Sequence, residues 1–243
     1  MSNVEALYLS PLRYPGGKGR LAAFIGRLIE SQPVRASTYV EPFAGGAGVG
    51  LRLLFDEYVE QVVLNDLNPG IAAFWRAILE DTDSFLDLIA DADLSVEEWH
   101  RQRAQYRDGG SDLQLGFATF YLNRTNRSGI LDARPIGGLE QTGKWLIDAR
   151  FNKDKLSHRV RVLSRYASRI TVCEQDGVGL AETYLGDPEF FMYADPPYLV
   201  EGDDLYLHAM SWDDHQRLAR MLKAAPNGWF LTYDADSRIT DDL

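Results

Sequence analysis

Short apolar runs alternate along this chain with longer stretches in which apolar positions recur every three or four residues, a pattern that predicts strands separated by amphipathic helices. The strands fall at Ser37–Glu41, Gln61–Asn65, Ile170–Glu174, Phe190–Ala194 and Trp229–Tyr233. The helices fall at Gly19–Ser31, Gly48–Tyr58, Pro69–Leu79, Val178–Tyr184 and Asp213–Ala224. Strand and helix in repeated alternation point to an α/β domain whose parallel strands are covered by helices. Between Asp93 and Arg169 the rhythm changes to a polar, Arg-rich segment with scattered glycines. There two further helices, Leu113–Asn123 and Asn152–Ser168, flank the turn-rich middle "RSGILDARPIGGLEQTGKWLIDARF". This segment reads as an insertion between the second and third strands.

At 243 residues the chain is long enough for one large domain with an inserted lobe. No apolar run approaches a membrane span, and the opening "MSNVEALYLSPLRY" lacks the basic-then-apolar order of a secretion signal. A single cysteine, Cys173, excludes an internal disulfide, fits a reducing cytoplasm and reads as a small buried hydrophobe. A net charge of −11 argues against a nucleic-acid binder until its distribution is considered. Ser95–Arg169 holds 14 Lys and Arg against 8 Asp and Glu, a net of +6, which leaves −17 on the rest. Charge alone leaves a basic binding surface and a solvated helical face equally open. No motif has the spacing of metal ligands, so no metal is expected.

"YVEPFAGGAGVGL" (Tyr39–Leu51) is a strand, a glycine cluster and a helix start, and its glycines let backbone approach a ligand. Glu41 stands at the strand's C-terminal end, where α/β folds bind ligands. Phe43, Gly45 and Gly46 lie in the turn itself. "VVLNDLNPGI" places Asp66 at the end of the next strand, some twenty residues on, a distance at which a carboxylate reaches ribose hydroxyls. The other reading of Asp66 is a cap for the helix that begins at Pro69, a task that Asn68 can take instead. The glycines lack the regular dinucleotide spacing, which argues against a nicotinamide or flavin cofactor. "RYPGGKGRL" presents Lys18 at the mouth of a helix, suited to a carboxylate or phosphate or simply to a helix-initiating turn.

"FMYADPPYLV" ends an apolar strand on Asp195, Pro196, Pro197 and Tyr198. Two consecutive prolines cannot extend a buried strand, since each lacks a donor and fixes its own φ. The result is a stiff elbow holding the Asp195 carboxylate and the Pro196 carbonyl as two acceptors beside an aromatic ring. The exocyclic amino group of a base offers two N–H donors and a π face, but its lone pair is delocalised into the ring. Two acceptors pulling on its hydrogens favour a pyramidal nitrogen with a more available lone pair, a transition-state effect. A base stacked on the tyrosine must first leave its helix. A plain proline-rich turn closing the strand is the structural alternative.

In this order, "RYPGGK", "EPFAGGAGVGL", "LNDLNP" and "ADPPY" resemble the Dam-like DNA adenine methyltransferases that use S-adenosylmethionine. The resemblance covers nearly the whole chain. It implies a doubly wound, Rossmann-like methyltransferase sheet of strand order 3-2-1-4-5 with an inserted, mostly helical target-recognition lobe. The cofactor-binding catalytic domain would be 1–92 and 170–243, and the DNA target-recognition insertion 93–169. Tyr14 and Lys18 match the N-terminal cofactor motif, and Asp66 the acid that holds the cofactor's ribose. Asp176 matches an acid near the cofactor's adenine, and Glu41, Phe43, Gly45, Gly46 and Asp195 complete the implied cofactor set. Asp195 to Tyr198 match the catalytic motif that receives a flipped adenine. "YLNRTNRSGI" resembles a DNA-contacting segment, which implies DNA contacts from Asn123, Arg124, Asn126 and Arg127, with Lys144 and Arg150 on the segment that follows.

The implied partner is double-stranded DNA, with no membrane, in a bacterial or phage-encoded, nucleoid-associated cytoplasmic enzyme with a place in restriction-modification. The GATC-reading members carry a motif like an Asn-Val-Pro turn where this chain has "ARPIGGLEQTGKW", so the target sequence stays open. Relatives continue beyond "FLTYDADSRITDDL" with a helix and an antiparallel strand pair, so a sheet edge is expected here, either in a monomer or covered by a partner. Two rivals remain: an amino-methyltransferase acting on RNA or protein, and a truncated, inactive protein that binds cofactor and DNA.

Overall fold

The computed structural model describes residues 10–13, 17–197, 210–234, 236 and 238–239. Its described residues divide into two compact units. The first gathers 18–68 with the described residues from 169 onward, and the second gathers 69–168 with the stretch around Leu12 and Arg13.

The first unit is a five-stranded parallel sheet: β1 Thr38–Glu41, β2 Gln61–Asn65, β3 Ile170–Cys173, β4 Phe190–Ala194 and β5 Trp229–Leu231. Its order is β3-β2-β1-β4-β5, as expected, and the order reverses between β1 and β4. Side chains alternate along each strand, so the register sorts them into two faces. Val40, Val63, Met192 and Ala194 point to one face. There they pack with α8 (Gly177–Tyr184) and α9 (Trp212–Ala224) through Val178, Leu180, Leu218 and Leu222. Tyr39, Phe191, Tyr193 and Phe230 point to the other. That face is covered by α1 (Ala22–Glu30) and α2 (Gly48–Phe55), with Phe24 edge-on to Phe230 at 5.6 Å. A Cβ on Gly50 of α2 would stand 3.0 Å from the Tyr39 ring, so only glycine lets the helix lie this close to the strand.

The second unit is helical: α3 Pro69–Glu80, α4 Thr82–Asp91, α5 Val96–Asp108, α6 Asp112–Thr125 and α7 Lys153–Ser164. Its centre is a set of rings on which Phe74, Phe85, Phe117, Phe120 and Phe151 meet at centroid distances from 5.3 to 6.2 Å. Each such burial is worth about 1.5–3 kcal/mol. Gly116 lets α6 touch α3, since a Cβ there would lie 2.7 Å from the Ala73 carbonyl oxygen.

Two helices in this unit were not expected from the pattern. α5 buries only Trp99, so it has no apolar stripe to read. Its signal was the Ser95 cap, which accepts from the Glu98 amide at 3.1 Å. α4 is short, with Phe85 and Ile89 as its buried pair. The unit also starts earlier than 93, because α3 and α4 bury their apolar faces among the same aromatic rings as α6. With 80–93 included, basic and acidic residues over 8–17 and 69–168 number 15 and 14, so the positive charge is segregated within a nearly neutral unit. Among the described residues, no helix is long and apolar enough to cross a membrane.

Candidate active site

Three strand exits, those of β1, β2 and β4, bring the motif residues of the first unit together. β1 ends on Glu41, and Pro42 and Phe43 lead into the glycine turn before α2. The turn needs positive φ, which Gly45 takes at 45°. Ala47, the residue before α2, takes the same region at 49°, where a Cβ is strained. The Phe43 ring lies so close to Gly177 that a Cβ on Gly177 would come within 2.4 Å of it.

Asp66 holds this turn from the next strand. Its Oδ2 accepts from the Gly45 amide at 2.9 Å, and its Oδ1 accepts from the Asn68 amide at 2.9 Å. Asn68 therefore does not relieve Asp66 of local duty; Asp66 organises both turns itself. A carboxylate oxygen accepts more than one hydrogen bond, so this duty is compatible with binding ribose hydroxyls. Asn65, which the sequence reading passed over, is the hidden organiser. Its buried amide donates to the carbonyls of Pro42 and Gln175 at 2.8 and 2.9 Å, and accepts from the Gln175 amide at 3.0 Å. One side chain thus staples the exits of β1 and β3 to β2. Its signal was a polar residue at the end of an apolar strand. Asp176 caps α8, accepting from the Gly179 amide at 2.7 Å. Cys173 is half-buried, and burial pushes its thiol up, away from reactivity.

β4 runs into Asp195, Pro196 and Pro197; Tyr198 and Tyr14 lie outside the described residues. Asp195 is one step past Ala194, on the Tyr193 side of the sheet. Lys18 Nζ lies 2.9 Å from Asp195 Oδ2 and 3.2 Å from Oδ1, so the carboxylate that Lys18 holds belongs to the protein itself. Both side chains are about a quarter exposed, at 26% and 22%. Thr232, just past β5, donates to Asp195 Oδ1 at 2.5 Å. Beneath them, Tyr39 and Glu41 are fully buried. Burial pushes the Glu41 carboxyl well above the usual range, a shift that the Gly50 amide opposes and the charge of Asp195 reinforces. Burial thus favours the protonated form of Glu41. The Tyr39 hydroxyl and the Glu41 carboxyl lie against each other, with the Gly50 amide beside Glu41. A glycine turn with a buried acid at its base and a second acid on the neighbouring strand suit a polar, nucleoside-bearing cofactor.

A family model, D12 class N6 adenine-specific DNA methyltransferase, matches residues 14–238. The chain belongs to this family. It is 22% identical to modification methylase StsI of Streptococcus sanguinis over 82% of this chain and 30% of that protein. It is 23% identical to type II methyltransferase M.CviBI of Paramecium bursaria Chlorella virus NC1A over 95% of this chain and 84% of that one. The chain thus spans under a third of StsI and most of M.CviBI. Among solved structures, the rRNA methyltransferase aviRa from Streptomyces viridochromogenes is similar at a TM-score of 0.41 and 15% identity, over 96% of this chain and 81% of that one. That likeness is too distant to carry an argument.

In this D12-class chain the expected DNA contacts divide into two kinds. Asn123 and Asn126 are buried at 1% and 0% exposure, and their amides build the turn. Asn123 accepts from the Arg13 amide and donates to the Arg13 and Gly129 carbonyls. Asn126 accepts from Trp99 Nε1 at 2.6 Å and donates to the carbonyls of Ile130 and Leu131. Both are therefore corrected from surface contacts to interior posts. Arg124 is mostly buried, donating from Nε to the Arg150 carbonyl at 2.8 Å. Burial, then Arg159, Arg13 and Arg150, pull its guanidinium down to about 9, so it remains charged at neutral pH.

The exposed members are Arg127, Lys144 and Arg150. Beside the isolated antiparallel bridge of Asn126 with Pro135, the Arg127 amide donates to the carbonyl of exposed Arg134 at 3.1 Å. Lys144 sits 5.8 Å from the ring of Trp145, which is 65% exposed. The sequence reading did not single out Arg13, Arg134, Arg159 or Trp145. An aromatic on a glycine-rich turn beside lysine was the available signal for the last.

Proposed function

We propose that this chain transfers a methyl group from S-adenosylmethionine to the exocyclic amino nitrogen of a flipped adenine in duplex DNA. The observation that carries the reading is Asp195, oriented by Lys18 and Thr232 at the exit of β4, beside the point where the strand order reverses. S-adenosylmethionine supplies a methyl group made electrophilic by its sulfonium. Asp66 and the turn Phe43–Gly46 would hold its nucleoside end, with Asp176 and Tyr14 as further candidates, and Glu41 as the buried acid beneath the turn. Asp195 and the Pro196 carbonyl accept the amino hydrogens of the target base, raising the availability of its lone pair. Tyr198 supplies the stacking surface. The Lys18 ammonium and the Thr232 hydroxyl both donate to the Asp195 carboxylate.

The second unit, wider than 93–169, is the DNA-recognition unit of this reading. Arg13, Arg124 and Arg159 donate to backbone carbonyls, that of Arg150 receiving Arg124 Nε, and burial lowers the guanidinium pKa of all three donors. Mutually repelling guanidiniums suit a phosphodiester backbone. Arg127, Arg134 and Lys144 extend the basic surface, and Trp145 adds an aromatic face. The relatives named as modification methylases support a restriction-modification role.

The test is methyl transfer from radiolabelled S-adenosylmethionine to duplexes of random sequence, followed by digestion to nucleosides and methylation-sensitive sequencing. N6-methyladenine at one sequence context is the expected product. Label appearing only in RNA or protein would replace this reading with the first rival, and binding without transfer with the second.

A further inference from the structure

The carboxylate of Asp195 is tied to a short chain of hydroxyls that no cofactor or DNA assignment uses. Thr232 Oγ1 lies 2.5 Å from Asp195 Oδ1 and 3.0 Å from the Tyr193 hydroxyl. A carboxylate only accepts, so the single threonine proton goes to Asp195 and the tyrosine must donate to Thr232. The direction is therefore Tyr193 to Thr232 to Asp195. The backbone sets the geometry. Tyr193 and Asp195 are two apart on β4 and share a face, while the Thr232 amide donates to the Ala194 carbonyl at 3.1 Å and carries the ladder one rung past β5. The Tyr193 ring is buried at 1% exposure and stacked on Phe230 with centroids 5.8 Å apart, so its hydroxyl is a fixed post.

Packing alone asks for neither hydroxyl. Valine has the shape of threonine and suits a strand end as well, and phenylalanine fills the site of Tyr193. We infer that Thr232 is a positioning residue, whose hydroxyl, anchored by Tyr193, fixes the Asp195 carboxylate in the orientation that methyl transfer requires. This rests on the reading of Asp195 as the acceptor for the amino group. The ion pair with Lys18 gives Asp195 a charged partner. The hydroxyl chain sets its rotation, because a lysine ammonium is a flexible point charge and a strand-borne hydroxyl is not.

The test is single-turnover methylation at saturating DNA and S-adenosylmethionine by Thr232→Val, Thr232→Ser, Tyr193→Phe and Asp195→Ala, each checked for folding by thermal melting and for cofactor affinity by calorimetry. Thr232→Val should lose about tenfold in rate, the worth of one hydrogen bond to a charged group, with cofactor and DNA affinities unchanged. Thr232→Ser should recover most of that loss, and Tyr193→Phe should lose about threefold. Thr232→Val matching the parent in rate, or Thr232→Ser failing as badly as Thr232→Val, overturns the inference. If Asp195→Ala retains the parent's rate, the underlying reading falls instead, and the two failures are told apart in one experiment.

Discussion

At the exits of β1, β2 and β4 the motif side chains reach past the last strand hydrogen bonds, while at the end of α6 the motif side chains Asn123 and Asn126 turn back into the fold. Both stretches read alike in the sequence, as polar residues clustered around glycine. A parallel strand that stops leaves its next residues at a rim shared with neighbouring strands, where Asp66 holds two local turns and Asp195 meets Lys18 and Thr232. A helix that stops leaves orphaned carbonyls and must reverse its chain, and the nearest amides are consumed in doing so. On the proposed reading, the side chains that would meet DNA in that second region lie outside the buried amides of its motif: Arg127, Arg134, Lys144 and Trp145.

Asp195→Ala breaks the first half of this contrast most sharply. Methyl transfer should fall on the order of 10²-fold or more, while calorimetric cofactor affinity changes far less, and Asp195→Asn should keep more activity because it keeps one acceptor. In the second region the largest effect should be on stability instead. Asn126→Ala strands Trp99 Nε1 and two buried carbonyls, at a cost of about 2–4 kcal/mol in urea unfolding, whereas Arg127→Ala should stay within about 0.5 kcal/mol. Near-equal stability of these two variants would erase the distinction between posts and contacts.

Asp66→Ala should weaken cofactor binding by about 1–3 kcal/mol, measured by calorimetry, with affinity for DNA unaffected in the absence of cofactor. An unchanged affinity would confine Asp66 to the turns of Gly45 and Asn68. Arg127→Ala and Lys144→Ala should each weaken binding to all duplexes alike and lower the slope of log affinity against log salt by about one. Full retention of that slope would move the DNA surface elsewhere.

The smallest effect concerns Glu41, whose pKa in the folded chain lies well above that of an ordinary carboxylate. Folding then retains a proton that the unfolded chain releases, so stability is full below the ordinary carboxylate range and declines as pH rises from there through the folded value. Glu41→Gln cannot ionise, so its melting temperature should decline less over that window than the parent's. Parallel curves would mean that Glu41 is ionised in the fold.

Much of this protein was determined by its sequence alone. Short apolar runs and helical patterns marked the five parallel strands, and "ADPPY" with "EPFAGGAGVGL" pointed to the family and through it to the strand order, because these depend on local backbone chemistry and on which residues can face a sheet. Helices without an apolar stripe stayed hidden: α5 is held by a cap and by Trp99, and α3 joins the second unit through contacts between distant parts of the chain. Only the tertiary structure decided that Lys18 answers Asp195 from 177 positions away, that Thr232 reaches the same carboxylate, that Asn65 staples two neighbouring loops, and that Asn123 and Asn126 are spent on a turn. Each of these is a pairing between polar atoms, and an unpaired buried polar atom is costly enough that the fold, rather than the order of letters, chooses its partner.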